Sequence, residues 1–161
     1  MQHRPKYTPV ILFSLLLLGS SVVVGQGRVV RETHYQDWVL RCYEDSQCYT
    51  MQKVTTGAGS LSIIVGKFRN QKELDIRFTL PFGIYLPAGM SFDIDGNQKT
   101  MLPITTCLED GCKAESKLSD YVQRLLRDGN QLNLSFMDHT TREVVPVAIS
   151  LKGFPMGMAG I

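Results

Sequence analysis

Glu73-Leu74-Asp75-Ile76-Arg77-Phe78-Thr79-Leu80 decides the fold class of this chain. In an extended backbone Leu74, Ile76, Phe78 and Leu80 point one way, and Glu73, Asp75, Arg77 and Thr79 point the other. An antiparallel strand with one face in a core and one in water has this pattern. Pro81-Phe82-Gly83 ends the strand, and Pro87-Ala88-Gly89 breaks the chain again.

The same period recurs on both sides. Trp38 to Tyr43 alternates and predicts a strand, with Gln47 to Val54 as its hairpin partner across Glu44-Asp45-Ser46. Leu61 to Phe68 is a short apolar run suited to a buried strand. Met90, Phe92 and Ile94 alternate with Ser91, Asp93 and Asp95, and Asp95-Gly96 suits a type I′ turn, with Gln98 to Leu102 returning. Leu132 to Phe136 and Val145 to Leu151 alternate likewise. Pro146 cannot donate a ladder bond, which places the last strand at an edge or a bulge. One segment has a different period: Leu118, Tyr121, Val122, Leu125 and Leu126 form a helical stripe. Ser119 as N-cap, Asp120 in the first turn and Gly129 as the C′ stop predict a helix over 120–128. About eight short strands and one short helix predict a mainly β chain folded as a β-sandwich.

The N-terminus gives the address. Arg4 and Lys6 precede an apolar run from Val10 to Val24, which Gly19, Ser20, Ser21 and Gly25 punctuate and close. Basic, apolar, small is the order of a secretory signal peptide, expected over residues 1–25. The run is shorter than the roughly 20 apolar residues of a membrane span, so no integral span is expected after cleavage. Residues 26–36 show no pattern and read as an N-terminal arm. The chain has 17 basic and 15 acidic side chains, and the leader takes two basic ones, leaving 15 of each. A neutral mature chain offers nothing to attract a polyanion, which argues against nucleic acid as a partner.

Export puts the four cysteines in an oxidising setting. Three pairings are possible. Loop entropy alone favours long closures: a seven-residue loop is worth about 2.3 kcal/mol, a Cys42–Cys107 link about 4.3 kcal/mol. Geometry outweighs it. Cys42 and Cys48 flank a tight turn between two predicted strands, and Asp110-Gly111 gives Cys107 and Cys112 a similar turn. The local pairs Cys42–Cys48 and Cys107–Cys112 are therefore expected. The spacings are not the C-x-x-C of a redox site, and export disfavours a four-thiolate zinc site.

No catalytic set emerges. After the leader the histidines are His34, in the arm, and His139, in a polar turn; neither has a nucleophile at a known spacing. There is no G-x-S-x-G. Asp93, Asp95 and Asn97 suggest a calcium loop, but Gly96 is misplaced for one and Ile104 stands where its closing Glu belongs. A hairpin turn explains them. Asn133-Leu134-Ser135 matches a glycosylation sequon, but it sits inside a predicted strand. No metal or cofactor is expected, and the chain reads as a non-enzyme.

Several stretches together resemble the invasion-associated locus B (IalB) family of exported Gram-negative bacterial proteins. They are Asp37 to Cys42, Leu80 to Met90, Ile94-Asp95, Cys107 to Ala114, the Leu118 to Gly129 helix and Ser150 to Phe154. The resemblance implies an immunoglobulin-like β-sandwich over residues 37–154, in a periplasmic, extracellular or cell-surface protein. In some members it also implies a link to invasion of host cells. It carries over no catalytic residue, and the four cysteines transfer as structural positions only. Residues 155–161, short and rich in Met and Gly, read as a tail that departs from the family.

The leading expectation is an interaction domain of the envelope, with a protein partner there or on a host cell. Phe82, Tyr85 and Leu86, held between prolines and glycines, are its candidate surface. The competing reading of these three is core packing at a strand crossing. A periplasmic chaperone-like or stress-related structural protein is the alternative function, and an enzyme of unknown type the remote one.

Overall fold

The computed structural model describes residues 27–68 and 71–161; the expected signal peptide lies outside them. The described strands are β1 (Val29–Tyr35), β2 (Trp38–Tyr43), β3 (Cys48–Thr56), β4 (Gly59–Gly66), β5 (Asp75–Leu80), β6 (Met90–Ile94), β7 (Asn97–Leu102), β8 (Thr106–Leu108), β9 (Gly111–Lys117), β10 (Gln131–Met137) and β11 (Val144–Ser150). Two helices join them, α1 (Asp120–Asp128) and α2 (Phe154–Met158). The strands form a seven-stranded sheet in the order β1-β2-β3-β4-β5-β9-β8 and a four-stranded sheet in the order β11-β10-β6-β7. All pairings are antiparallel.

Alternation positions the core. Ile76, Phe78 and Leu80 of β5 are buried, as are Met90, Phe92 and Ile94 of β6 and Leu132, Leu134 and Phe136 of β10. The Phe78 and Phe92 rings meet across the sheets at 5.3 Å. Each such side chain contributes roughly 1.5–3 kcal/mol by leaving water. The Asp95-Gly96 turn has φ of +49° and +79°, as the type I′ reading requires. Pro146 lies in β11, an edge strand.

Helix α1 has the expected bounds, and the Ser119 side chain accepts a bond from the Val122 amide at 3.3 Å. Leu118, Val122 and Leu126 are buried and Leu125 packs against the core, but Tyr121 is half exposed. Gly129 ends the helix differently from the expectation. Its φ of −81° and ψ of 169° are extended, not left-handed. Glycine is needed for room: a Cβ there meets Ile94 Cγ2 at 2.5 Å and the Leu125 carbonyl at 2.6 Å.

Three segments depart from the sequence reading. Most of the supposed arm is β1, paired with β2 from Tyr35↔Trp38 back to Val29↔Tyr43. No residue of it is buried, so burial imposes no hydrophobic period on it. Strands β8 and β9 also went unrecognised; in β9 Cys112 and Ala114 face inward, too small to mark a period against Lys113 and Glu115. The supposed tail begins inside α2, which lies against β1, β2, β3 and α1. Phe154 is fully buried and meets Trp38 edge-on at 4.8 Å, while Trp38 Nε1 donates to the Ser150 carbonyl at 2.8 Å. Gly157 lies directly on Thr50, and Gly160 on Leu40.

Candidate interaction surface

Cys42 faces Cys48 across β2–β3, and Cys107 faces Cys112 across β8–β9; both pairs are disulfide-bonded, as the turns suggested. Cys42 and Cys112 are the buried members. Among the described residues no cysteine is free and no group of three His, Cys, Asp or Glu is placed to hold a metal ion.

The Pro81–Gly89 segment divides its apolar residues. Ile84 plugs the core and bridges to Asp138. Phe82 and Leu86, in contrast, are 60 % and 46 % exposed. Tyr85 is half-buried. The expected surface residues therefore sit on one rim, and the core-packing alternative fits Ile84 instead. The rim is held firmly: the Tyr85 amide donates to the Met137 carbonyl and the His139 amide to the Gly83 carbonyl, both at 2.8 Å. Leu86–Ala88 forms a single 3-10 turn with Pro87 near its start.

Side chains from the β10–β11 turn complete the rim. The Arg142 guanidinium lies 3.6 Å from the centre of the Tyr85 ring, and the His139 ring lies 6.2 Å from it. An Arg over a Tyr face adds roughly 0.5–1 kcal/mol at an exposed site. Asp138 orders the turn. Its carboxylate accepts from the Thr140 and Thr141 amides at 2.8 Å each, and these bonds hold its pKa below the ordinary carboxylate value. His139 thus serves as a neighbour of Tyr85, and His34 pairs with Glu32 at 3.2 Å.

Leu86 continues into a shallow cleft of about 430 Å³ with Ala88, Met101 and Pro103. Met101 then borders a second cleft of about 180 Å³ with Met137 and Val144. Met101 and Val144 are 62 % and 63 % exposed. Sequence reasoning missed both. The signal was present: each is a large apolar residue at an outward position of its strand, next to an inward one (Leu102, Val145).

Two facing antiparallel sheets, hairpin disulfides and one sizeable helix define an immunoglobulin-like β-sandwich. Comparison with known proteins gives the family. The chain belongs to the invasion associated locus B (IalB) protein family, whose signature matches residues 38–161 and so runs through the segment read as a tail. It is 28 % identical over 153 residues to an invasion protein B homolog of Brucella abortus strain 2308, covering 92 % of this chain and 87 % of the relative. A counterpart from Brucella abortus biovar 1 strain 9-941 matches equally. The crystal structure of invasion associated protein B from Bartonella henselae superposes with a TM-score of 0.71 at 18 % identity, over 80 % of this chain and 94 % of that one. That likeness concerns the fold.

Proposed function

We propose that this chain is a non-enzymatic binding domain that works outside the cytoplasm, in the periplasm or at the cell surface, and holds a protein partner of the envelope or of a host cell. The observation that carries the reading is the fixed exposure of Phe82 and Leu86. A segment fixed by four backbone hydrogen bonds keeps large apolar side chains in water. Exposed apolar surface joined to a polar, ordered turn is the usual composition of a docking site. Tyr85 with Arg142 above it supplies the aromatic and Arg pair that is enriched at interface hot spots.

Export is supported by the leader-like N-terminus and by two disulfides. A role in invasion is supported by the names of the Brucella relatives and by nothing finer. The test is capture of partners from envelope extract, and separately from host-cell membranes, with the mature protein and with a Phe82→Ser/Tyr85→Ser variant. Loss of the specific partner from a variant with wild-type melting supports the surface. Unchanged recovery by the folded variant rejects it.

A further inference from the structure

A sandwich of two open sheets has four edges, and three of them are guarded. Pro146 interrupts β11. β8 is three residues long. β7 carries Lys99, a positive φ at Gln98 and an irregular register with β6. β1 carries charge at Arg31 and Glu32, but from Arg31 to Tyr35 it has no proline, no positive φ and a regular register against β2. Among the described residues it pairs on one side only.

The two-residue turn at Gln36-Asp37 fixes which backbone groups are free. Tyr35↔Trp38 closes the hairpin, so Arg31, Thr33 and Tyr35 direct their amides and carbonyls to β2. Glu32 and His34 direct theirs outward. Unpaired backbone groups along such an edge are a template for another strand.

We propose that β1 pairs with β1 of a second copy of this chain, antiparallel about a two-fold axis at Thr33. The side chains select that register. A two-fold axis at Arg31 or at Glu32 sets like charges directly opposite, which is destabilising. At Thr33, Glu32 faces the other copy's His34 twice, on the outer face. On the inner face Arg31 faces the other copy's Tyr35, also twice. Glu32 and His34 are also the residues whose backbone groups are free, so the backbone-bonded pairs and the carboxylate–imidazole pairs coincide; within one copy the same carboxylate already accepts from Arg41. An isologous contact of this kind closes on itself: it uses the β1 edge of both copies and leaves only the guarded edges β7, β8 and β11. The area is that of one short strand, below the standard interface size, which sets a weak, reversible dimer. Two seven-stranded sheets become one continuous sheet across the axis.

Sedimentation velocity of the exported, oxidised protein over a concentration series tests the proposal. The wild type is expected to show a monomer–dimer equilibrium. Glu32→Lys, which removes the carboxylate facing the other copy's His34 and with it the ion pair to Arg41 in its own chain, is expected to weaken it at least tenfold. The double variant Glu32→Lys/His34→Glu sets Lys opposite Glu across the axis and is expected to return within about threefold of wild type. Thr33→Cys gives an independent readout. Its introduced thiols meet at the two-fold axis and are expected to form a symmetric disulfide readily, since non-hydrogen-bonded antiparallel partners lie about 4.5 Å apart at Cα. A wild type that stays monomeric at every concentration overturns the proposal. So does a dimer indifferent to Glu32→Lys, or a Thr33→Cys variant that cross-links only to a different envelope polypeptide.

Discussion

The two halves of the seven-stranded sheet are covered in different ways. On the β4-β5-β9 half a second sheet lies above, and large side chains such as Phe78 and Phe92 meet midway. On the β1-β2-β3 half the cover is α2, a single turn and a half of chain. There the backbone itself comes down onto the sheet, with Gly157 on Thr50 and Gly160 on Leu40, and Phe154 is the one ring driven in. A core can therefore be sealed by interdigitated side chains or by close approach of bare backbone. The second way takes far fewer residues, and it tolerates far less change at each.

The sharpest way to break the comparison is to empty one site on each side. Phe154→Ala and Phe92→Ala are each expected to cost about 3–5 kcal/mol in urea unfolding. A loss under about 1 kcal/mol for Phe154→Ala would show that α2 rests on the sheet without sealing it. Next in size is the disulfide on the α2-covered half. Replacing Cys42 and Cys48 by Ala is expected to lower stability by about 2 kcal/mol. The Cys107/Cys112 pair, replaced likewise, is expected to show its main effect in hydrogen exchange of β8, an exposed strand of three residues at the sheet edge. Equal exchange in both variants would erase the distinction between a staple in a sheet interior and one at its margin.

A smaller change sharpens the glycine side of the comparison. Gly157→Ala drives a Cβ into the Thr50 side chain and is expected to cost about 1–2 kcal/mol. Gly57→Ala, with nothing within 4 Å, is expected to be neutral or slightly stabilising. Thermal melts of the two variants measure the contrast directly.

The smallest effect is a pH response shared by both halves. Hydrogen bonding to Arg41 lowers the Glu32 pKa, bonding to Lys113 lowers that of Asp110, and the Thr141 and Thr140 amides lower that of Asp138. A carboxyl whose pKa is lower folded than unfolded stabilises the fold above its unfolded value, about 4, and loses that contribution as the pH drops through the folded value. The melting temperature is therefore expected to hold from neutral pH to about 5 and to fall below about 4. All three groups are open to solvent, so the slope is shallow. Asp138→Asn is expected to flatten it slightly. A melting temperature that rises on acidification would contradict the directions given.

What the sequence revealed follows the same division. The side-chain-sealed half was legible except for β9: β5 and the covering strands β6, β10 and β11 announced themselves through large apolar residues at every second position, because burial on one face writes that period into the chain. α1 was legible to the residue, because its cap and its stripe agree. The backbone-sealed half was only partly legible. In Phe-Pro-Met-Gly-Met the glycine acts by lacking a side chain, so hydropathy carries no trace of the packing. β1 was unreadable as a strand because neither of its faces is buried. At the rim, Phe82, Tyr85 and Leu86 stood out by composition between Pro and Gly, and Phe82 and Leu86 are exposed. Arg142 and His139 were missed because they are more than fifty residues away and reach Tyr85 only through the Ile84–Asp138 bridge.

Both disulfides tie residues only six and five positions apart. Among the described residues no covalent link joins the sheets, or α2 to anything. Seized at its two ends, the oxidised polypeptide can thus be drawn out to nearly its full contour, each staple withholding only a tiny loop. Any machine that threads chains through a narrow pore, whether for secretion or for destruction, meets two small knots instead of a welded body. For this molecule, resistance to such handling resides in packing, and oxidation leaves it almost as linear as before.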